Sequence, residues 1–273
     1  MSNFASYCFF MIIQAKEPIV EVHDLTVSYH NKPVLWDIDF SLPAGVLAGI
    51  IGPNGAGKST LIKTIMGLIE PSSGYTHLFG QDLDKIRKRV SYVPQRETVD
   101  WDFPASVFDV VLMGRYAKAG LFKSMSRADK EVARESIRKV GLEAMSDRQI
   151  SQLSGGQQQR VFIARALAQD ADLYFMDEPF AGVDMATEAD IIKILKEMKD
   201  KGKTVVVVHH DLQSAIDYFD WMVMLNMRLV ASGPTSQVFN QATLQETYGS
   251  RLNVLTKIGE EVEKRNFPIR KNS

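Results

Sequence analysis

Two periodicities divide the chain. Val20 and Val22, then Leu25, Val27 and Tyr29, alternate with other residues at period two, and Trp36, Ile38 and Phe40 repeat the pattern before a Pro43-Ala44-Gly45 turn, which predicts an N-terminal antiparallel β-layer. Residues 46–51 form a continuous apolar run ending at Gly52, the pattern of a strand buried on both faces. Leu61, Ile62, Ile65, Met66 and Ile69 follow at helical spacing until Pro71-Ser72-Ser73-Gly74 breaks it. Between Glu97 and Gln152 the texture changes: Val107, Val110 and Val111, then Val132, Ile137 and Val140, recur at helical spacing among charges, which predicts a helical insert. A helix over 157–168, a buried strand over 173–176, a helix over 187–199 and a second buried strand over 204–208 then restore a parallel α/β pattern. The final stretch, 241–273, is charged and weakly periodic and reads as a docked helix followed by a loose tail.

The longest apolar stretch, residues 4–13, is interrupted only by Ser6. It falls short of the ~20 residues of a spanning helix, so the chain is not expected to cross a membrane. The first basic residue, Lys16, follows that run, so the positive start of a secretory signal is missing. Residues 1–18 read as a loosely ordered leader, and Met11 stands as an alternative start ahead of the first strand-like pattern at Ile19. With 273 residues, 45% hydrophobic and 24% charged, the chain can bury a core without covalent staples. Its 32 basic and 33 acidic residues leave a net charge of -1, which removes the general positive field a nucleic-acid binder needs. A single cysteine, Cys8, forbids an intrachain disulfide and suits a reducing compartment. His23, His30 and His77 lack metal-ligand spacing.

Candidate chemistry concentrates in three places. Gly52-Pro53-Asn54-Gly55-Ala56-Gly57-Lys58-Ser59, followed by Thr60, fits G-x-x-x-x-G-K-[ST] between the predicted buried strand and helix. Its glycines let backbone N–H groups curl around phosphate oxygens, Lys58 reaches the β- and γ-phosphates, and Ser59 ligates Mg²⁺. Asp177 and Glu178 end the buried strand at 173–176, where a metal-bound phosphate would sit in a parallel sheet. Asp177 is then a Mg²⁺ ligand, and Glu178 orients or deprotonates an attacking water. Ser154, Gly155, Gly156 and Gln157 open another predicted helix with a hydroxyl and free N–H groups, a second anion site.

The run LSGGQ (153–157), taken with GPNGAGKST (52–60) and FMDEP (175–179), resembles the nucleotide-binding subunit of ATP-binding cassette (ABC) transporters over residues 19–240. The resemblance implies an α/β P-loop NTPase: a RecA-like core with an N-terminal antiparallel β-subdomain, a helical subdomain at about 97–157, and a C-terminal helix and tail over 241–273. It also implies roles for residues that the periodicity leaves unassigned. Tyr29 matches the aromatic that stacks on adenine, and Gln95 the glutamine that touches Mg²⁺ and water. Asp184 matches the acidic end of the loop over 181–184 that crosses to a second subunit, and it can also cap the next helix. Of the pair His209 and His210, the family pattern selects His210 as the switch histidine, with His209 as the alternative.

Val99-Asp100-Trp101-Asp102-Phe103-Pro104, with Val208-His209-His210-Asp211, resembles the manganese, zinc and iron importers within the family. The implied assembly is a homodimer around two ATP molecules, bound to polytopic permease subunits at the cytoplasmic face of the cell membrane, with an extracytoplasmic metal-binding protein acting indirectly. Residues 107–116 are candidate permease contacts, with Arg115 a candidate charge on that surface. Cobalamin and iron-siderophore importers are the neighbouring alternative, and an ABC ATPase of iron-sulfur cluster assembly a remote one.

Overall fold

Valine and isoleucine runs without a polar face require cover on both sides, and the computed structural model, which describes residues 11–30, 32–119 and 124–249, provides it with two sheets and a layer of helices. In chain order the strands are β1 (Met11–Ile12), β2 (Pro18–Tyr29), β3 (Lys32–Pro43), β4 (Leu47–Ile51), β5 (Ser73–Leu78), β6 (Val90–Val93), β7 (Leu173–Asp177), β8 (Thr204–His209), β9 (Trp221–Asn226) and β10 (Arg228–Pro234). The α-helices are α1 (Lys58–Ile65), α2 (Leu83–Ile86), α3 (Val107–Met113), α4 (Tyr116–Ala119), α5 (Arg127–Lys139), α6 (Gly155–Gln169), α7 (Met185–Asp200), α8 (Leu212–Tyr218), α9 (Thr235–Val238) and α10 (Gln241–Tyr248). The larger sheet has the order β1-β10-β9-β4-β8-β7-β6, and β3-β2-β5 form a smaller antiparallel sheet.

Alternation along the central strands separates two cores. Ala48 and Ile50, Leu173 and Phe175, and Val206 and Val208 face the small sheet and α1. Leu47 and Ile51, Tyr174 and Met176, and Val205 and Val207 face the helical insert, α6 and the C-terminal helices. The insert carries its own capping boxes: Ser106 with Asp109 starts α3, and Ser126 with Asp129 starts α5.

Three sequence expectations change. The predicted helix through Ile69 stops at Ile65, because Gly67 takes φ 65 and turns the chain. Gly74, expected within a turn, lies in β5: a Cβ there would sit 2.4 Å from the His23 carbonyl oxygen, so its bare backbone permits strand pairing with β2. The leader was expected to run loosely to residue 18, yet Met11 and Ile12 pair in parallel with Ala231 and Ser232, and the Ile13 N–H donates to the Ser232 carbonyl at 2.7 Å. Residues 1–10, with Cys8, and the expected tail beyond Gly249 lie outside the described residues.

Among the described residues no helix is long and apolar enough to cross a membrane. Within β4, Gly49 is closely packed: an added Cβ would lie 2.6 Å from Phe219 Cδ2. Gly49→Ala is expected to lower stability by about 1–3 kcal/mol through overpacking, read as a lower urea midpoint, and Phe219→Leu in the same chain should recover part of the loss.

Candidate functional site

The loop after β4 holds its shape because three glycines tolerate what side chains do not. Gly57 is the N-cap of α1 at φ 94, and a Cβ there would stand 2.5 Å from Leu35 Cδ2. Around it lies a cavity of about 480 Å³ lined by Val34, residues 54–60, Gln95, Glu178 and His210. The structure therefore gathers Asn54, Gly55, Ala56, Gly57, Lys58, Ser59 and Thr60 with three polar side chains from other strand ends. Lys58 is 6% exposed and donates to the carbonyls of Gly52 at 2.8 Å and Pro53 at 3.0 Å. Burial pushes its ammonium pKa down, against the opposing pull of Glu178 and Asp177.

Asp177 ends β7 fully buried, and its Oδ1 accepts from the Ser59 hydroxyl at 2.8 Å. Burial holds its carboxyl above the usual range, with the Ser59 hydrogen bond opposing. Its Oδ2 is buried without a hydrogen-bond partner. A paired hydroxyl and carboxylate with one free, desolvated oxygen is a hard donor set, and it fits Mg²⁺. Glu178, one residue on, turns away from the strand because its φ is 51, a left-handed conformation rare outside glycine. That turn puts it in the cavity lining, where its Oε2 accepts from Gln95 Nε2 at 3.3 Å. Gln95 arrives there two residues past the end of β6.

The two histidines separate cleanly. His210 is exposed and lines the cavity. His209 is 2% exposed, its Nε2 lies 2.8 Å from the Ser214 hydroxyl, and Phe180, Tyr218 and Phe219 surround its ring. Burial lowers the His209 pKa to about 4, with the neighbouring His210 acting in the same direction.

Other sequence candidates lie apart from this cavity. Tyr29, 42% exposed, ends β2 and is not among the lining residues. Ser154 caps α6 in a reciprocal box: its N–H donates to Gln157 Oε1 at 2.9 Å, and its hydroxyl accepts from the Gln157 N–H. Gly156 faces Val183 and the Gly182 carbonyl, so this turn rests on the 181–184 loop. Asp184 accepts from the Thr187 N–H at 2.8 Å and caps α7.

The expected docking stretch is split. Val107, Val110 and Val111 are buried in the core the insert shares with the large sheet, while Tyr116 is more than half exposed, as is Phe103 just before the stretch. Arg115 is not a free surface charge: its Nε donates to Asp129 at 3.0 Å and its guanidinium to the Ala168 carbonyl at 2.9 Å. Sequence reasoning missed Val34, which reaches the cavity from β3, and Arg96, which lies over Gly155. For Val34 the sequence carries no signal; for Arg96 its place beside Gln95 is one.

His209 makes stability depend on pH in a defined window. In the unfolded chain it protonates near 6.5, but in the folded chain only near 4. The unfolded state therefore takes up the proton first, and stability falls as pH drops through that interval. Urea titrations at pH 7 and pH 5 are expected to differ by about 2 kcal/mol from this residue, and His209→Gln should remove that part of the difference.

Residues 35–181 match the family described as ABC transporter. Over 236 residues the chain is 61% identical to the manganese transport system ATP-binding protein MntB of Bacillus subtilis (strain 168), covering 86% of this chain and 94% of that protein. It is 56% identical over 241 residues to the zinc transport system ATP-binding protein TroB of Treponema pallidum (strain Nichols), with 88% and 91% covered. A dimeric ATP-binding cassette solved in a post-hydrolysis state with ADP and Pi has TM-score 0.69 and 28% identity, covering 79% of this chain and 98% of that one. With its phosphate loop, strand-end carboxylates and LSGGQ turn in one α/β frame, this chain belongs to the ABC transporter family as an ATP-binding domain.

Proposed function

We infer that this chain hydrolyses ATP to drive import of a divalent transition metal, manganese, zinc or iron, through membrane permease subunits on whose cytoplasmic side it docks. The observation that carries the reading is the convergence of Lys58, Ser59, Gln95, Glu178 and His210 on one cavity. The cargo follows the manganese and zinc transport relatives, which do not favour the cobalamin, siderophore or iron-sulfur alternatives. Metal ions are substrate for the permease, and among the described residues no cluster of histidine, cysteine and carboxylates exists to hold one.

The buried Lys58 ammonium and the N–H groups of residues 54–59 receive the β- and γ-phosphates. Ser59 and Asp177, with Gln95 nearby, would hold Mg²⁺, which would supply positive charge to offset that of the phosphate oxygens. Glu178 accepts a proton from the water whose oxygen attacks the γ-phosphorus, and the bridging oxygen leaves with ADP. Gln95 restrains the Glu178 carboxylate, and His210 donates toward the γ-phosphate from the end of the neighbouring strand β8. Tyr29 offers a ring for adenine. Each site is completed by Ser154, Gly155, Gly156 and Gln157 of a second copy, with the Asp184 loop crossing between copies, a two-fold arrangement supported by the dimeric relative.

In the assembled transporter, Glu178→Gln should retain ATP binding while turnover falls about 100- to 10,000-fold; wild-type turnover overturns the assignment. Lys58→Ala should instead weaken nucleotide affinity about 10- to 100-fold, as loss of charge-assisted hydrogen bonds requires, measured by titration with a fluorescent ATP analogue. For cargo, reconstituted transporter with its binding protein should show ATPase stimulation by Mn²⁺, Zn²⁺ or Fe²⁺. Stimulation by cobalamin or a ferric siderophore alone would overturn the metal reading.

A further inference from the structure

Arg96 follows Gln95 directly, and its surroundings fix it from three sides. A 3₁₀ turn over Arg96–Thr98 holds the segment, with the Thr98 hydroxyl donating to the Gln95 carbonyl at 2.7 Å. Trp101 Nε1 donates to the Arg96 carbonyl at 2.9 Å. The Arg96 side chain crosses to α6, where its Nε donates to Gln158 Oε1 at 3.0 Å. Gln158 is 4% exposed and anchored in turn, its Nε2 donating to the Ile150 carbonyl at 3.1 Å. A Cβ on Gly155 would lie 3.0 Å from the Arg96 guanidinium carbon, so the first glycine of the pair is what lets the guanidinium rest on the helix start.

Two features mark this contact as more than structural glue. Arg96 makes no ion pair among the described residues, and its side-chain acceptor is a neutral amide. It also stands beside the N-terminus of a 15-residue helix, where the macrodipole is positive and a cation is unfavourable unless an anion is received there. On its other side, Gln95 is hydrogen-bonded to Glu178 at 3.3 Å. One short chain of contacts therefore runs Glu178, Gln95, Arg96, Gln158 and the Ser154–Gly156 turn.

We propose that Arg96 is a positioning residue for ATP hydrolysis: through Gln158 it holds the phosphate-receiving turn of α6 in fixed relation to Gln95 and Glu178 of the same chain, and it adds positive charge beside that turn. This rests on the proposed reading of Ser154–Gln157 as a phosphate-binding turn. The coupling links the hydrolytic carboxylate of one nucleotide site to the turn that serves the other, so the two sites of a dimer would be joined through each subunit's own Arg96.

The test uses Arg96→Ala, Arg96→Lys, Gln158→Met and the Arg96→Ala/Gln158→Met pair in the full chain, assembled with its permease. Binding of a fluorescent ATP analogue to the subunit should match wild type for every variant, and the melting temperature should match for the Arg96 variants, while kcat falls about tenfold in Arg96→Ala and in Gln158→Met; Gln158→Met alone is expected to melt somewhat earlier through its lost bond to Ile150. Because one contact carries both effects, the double variant should be no slower than either single one. Arg96→Lys, which keeps the charge but not the directed Nε bond, should recover part of kcat. Unchanged kcat, strictly multiplicative losses in the double variant, or a fall in nucleotide affinity or in the melting temperature of the Arg96 variants that accounts for the loss would each overturn the proposal. Glu178→Gln measured alongside separates the levels: if it turns over normally, the underlying functional reading falls. If it is inactive while Arg96→Ala is normal, only the Arg96 coupling falls.

Discussion

Parallel register at the centre of the large sheet is the constraint on which the site depends. Ile51 of β4 stands opposite His209 of β8, and Asp177 of β7 stands opposite Val208. The three strands therefore end together, and the loops that follow them open at one edge, the position where α/β sheets receive ligands. Valines at 205–208 are buried on both faces and cannot choose a register by side-chain pattern alone. Polar pins at the opposite ends supply it: the Gly45 N–H donates to Thr204 Oγ1 at 2.9 Å, and the Leu47 N–H to Asp220 Oδ2 at 3.0 Å. A one-residue slip would turn Asp177 away from Ser59 and break the Ser59–Asp177 hydrogen bond.

Within that frame the site balances desolvated charges. One buried ammonium faces two carboxylates, while the His209 imidazole stays neutral because its ring is enclosed by Phe180, Tyr218 and Phe219. The neighbouring histidines thus divide two tasks that the sequence presents as one repeated letter: His209 fills the core between Phe180 and Phe219, and His210 turns toward the cavity. Burial, which the sequence does not display, makes the difference.

How far the sequence could be read follows from the type of signal. The continuous apolar runs before Gly52 and Asp177 and around Val206 were legible as buried strands because both faces are covered. The tight loop over 52–59 was legible because its glycines and lysine sit at fixed spacing, and Gly55 and Gly57 take positive φ there. β9 and β10 were not singled out: they form an antiparallel hairpin at the sheet's side, and Met222 and Met224 carry little strand preference. β5 was hidden by Gly74, whose role is close approach to β2. The side-chain bridge from Arg96 to Gln158 spans 62 positions, and no local pattern announces a contact of that range.

The two-residue strand β1 shields the outer edge of β10. Without it, the Ala231 and Ser232 backbone groups would border an open ladder beside the apolar Leu229–Ala231 stretch. Such an edge is a template for pairing with another chain. Met11 and Ile12 occupy it with backbone alone, since both side chains are exposed. Their contribution is therefore colloidal more than conformational: two residues cover the Ala231–Ser232 part of the β10 edge that would otherwise lie open to another chain.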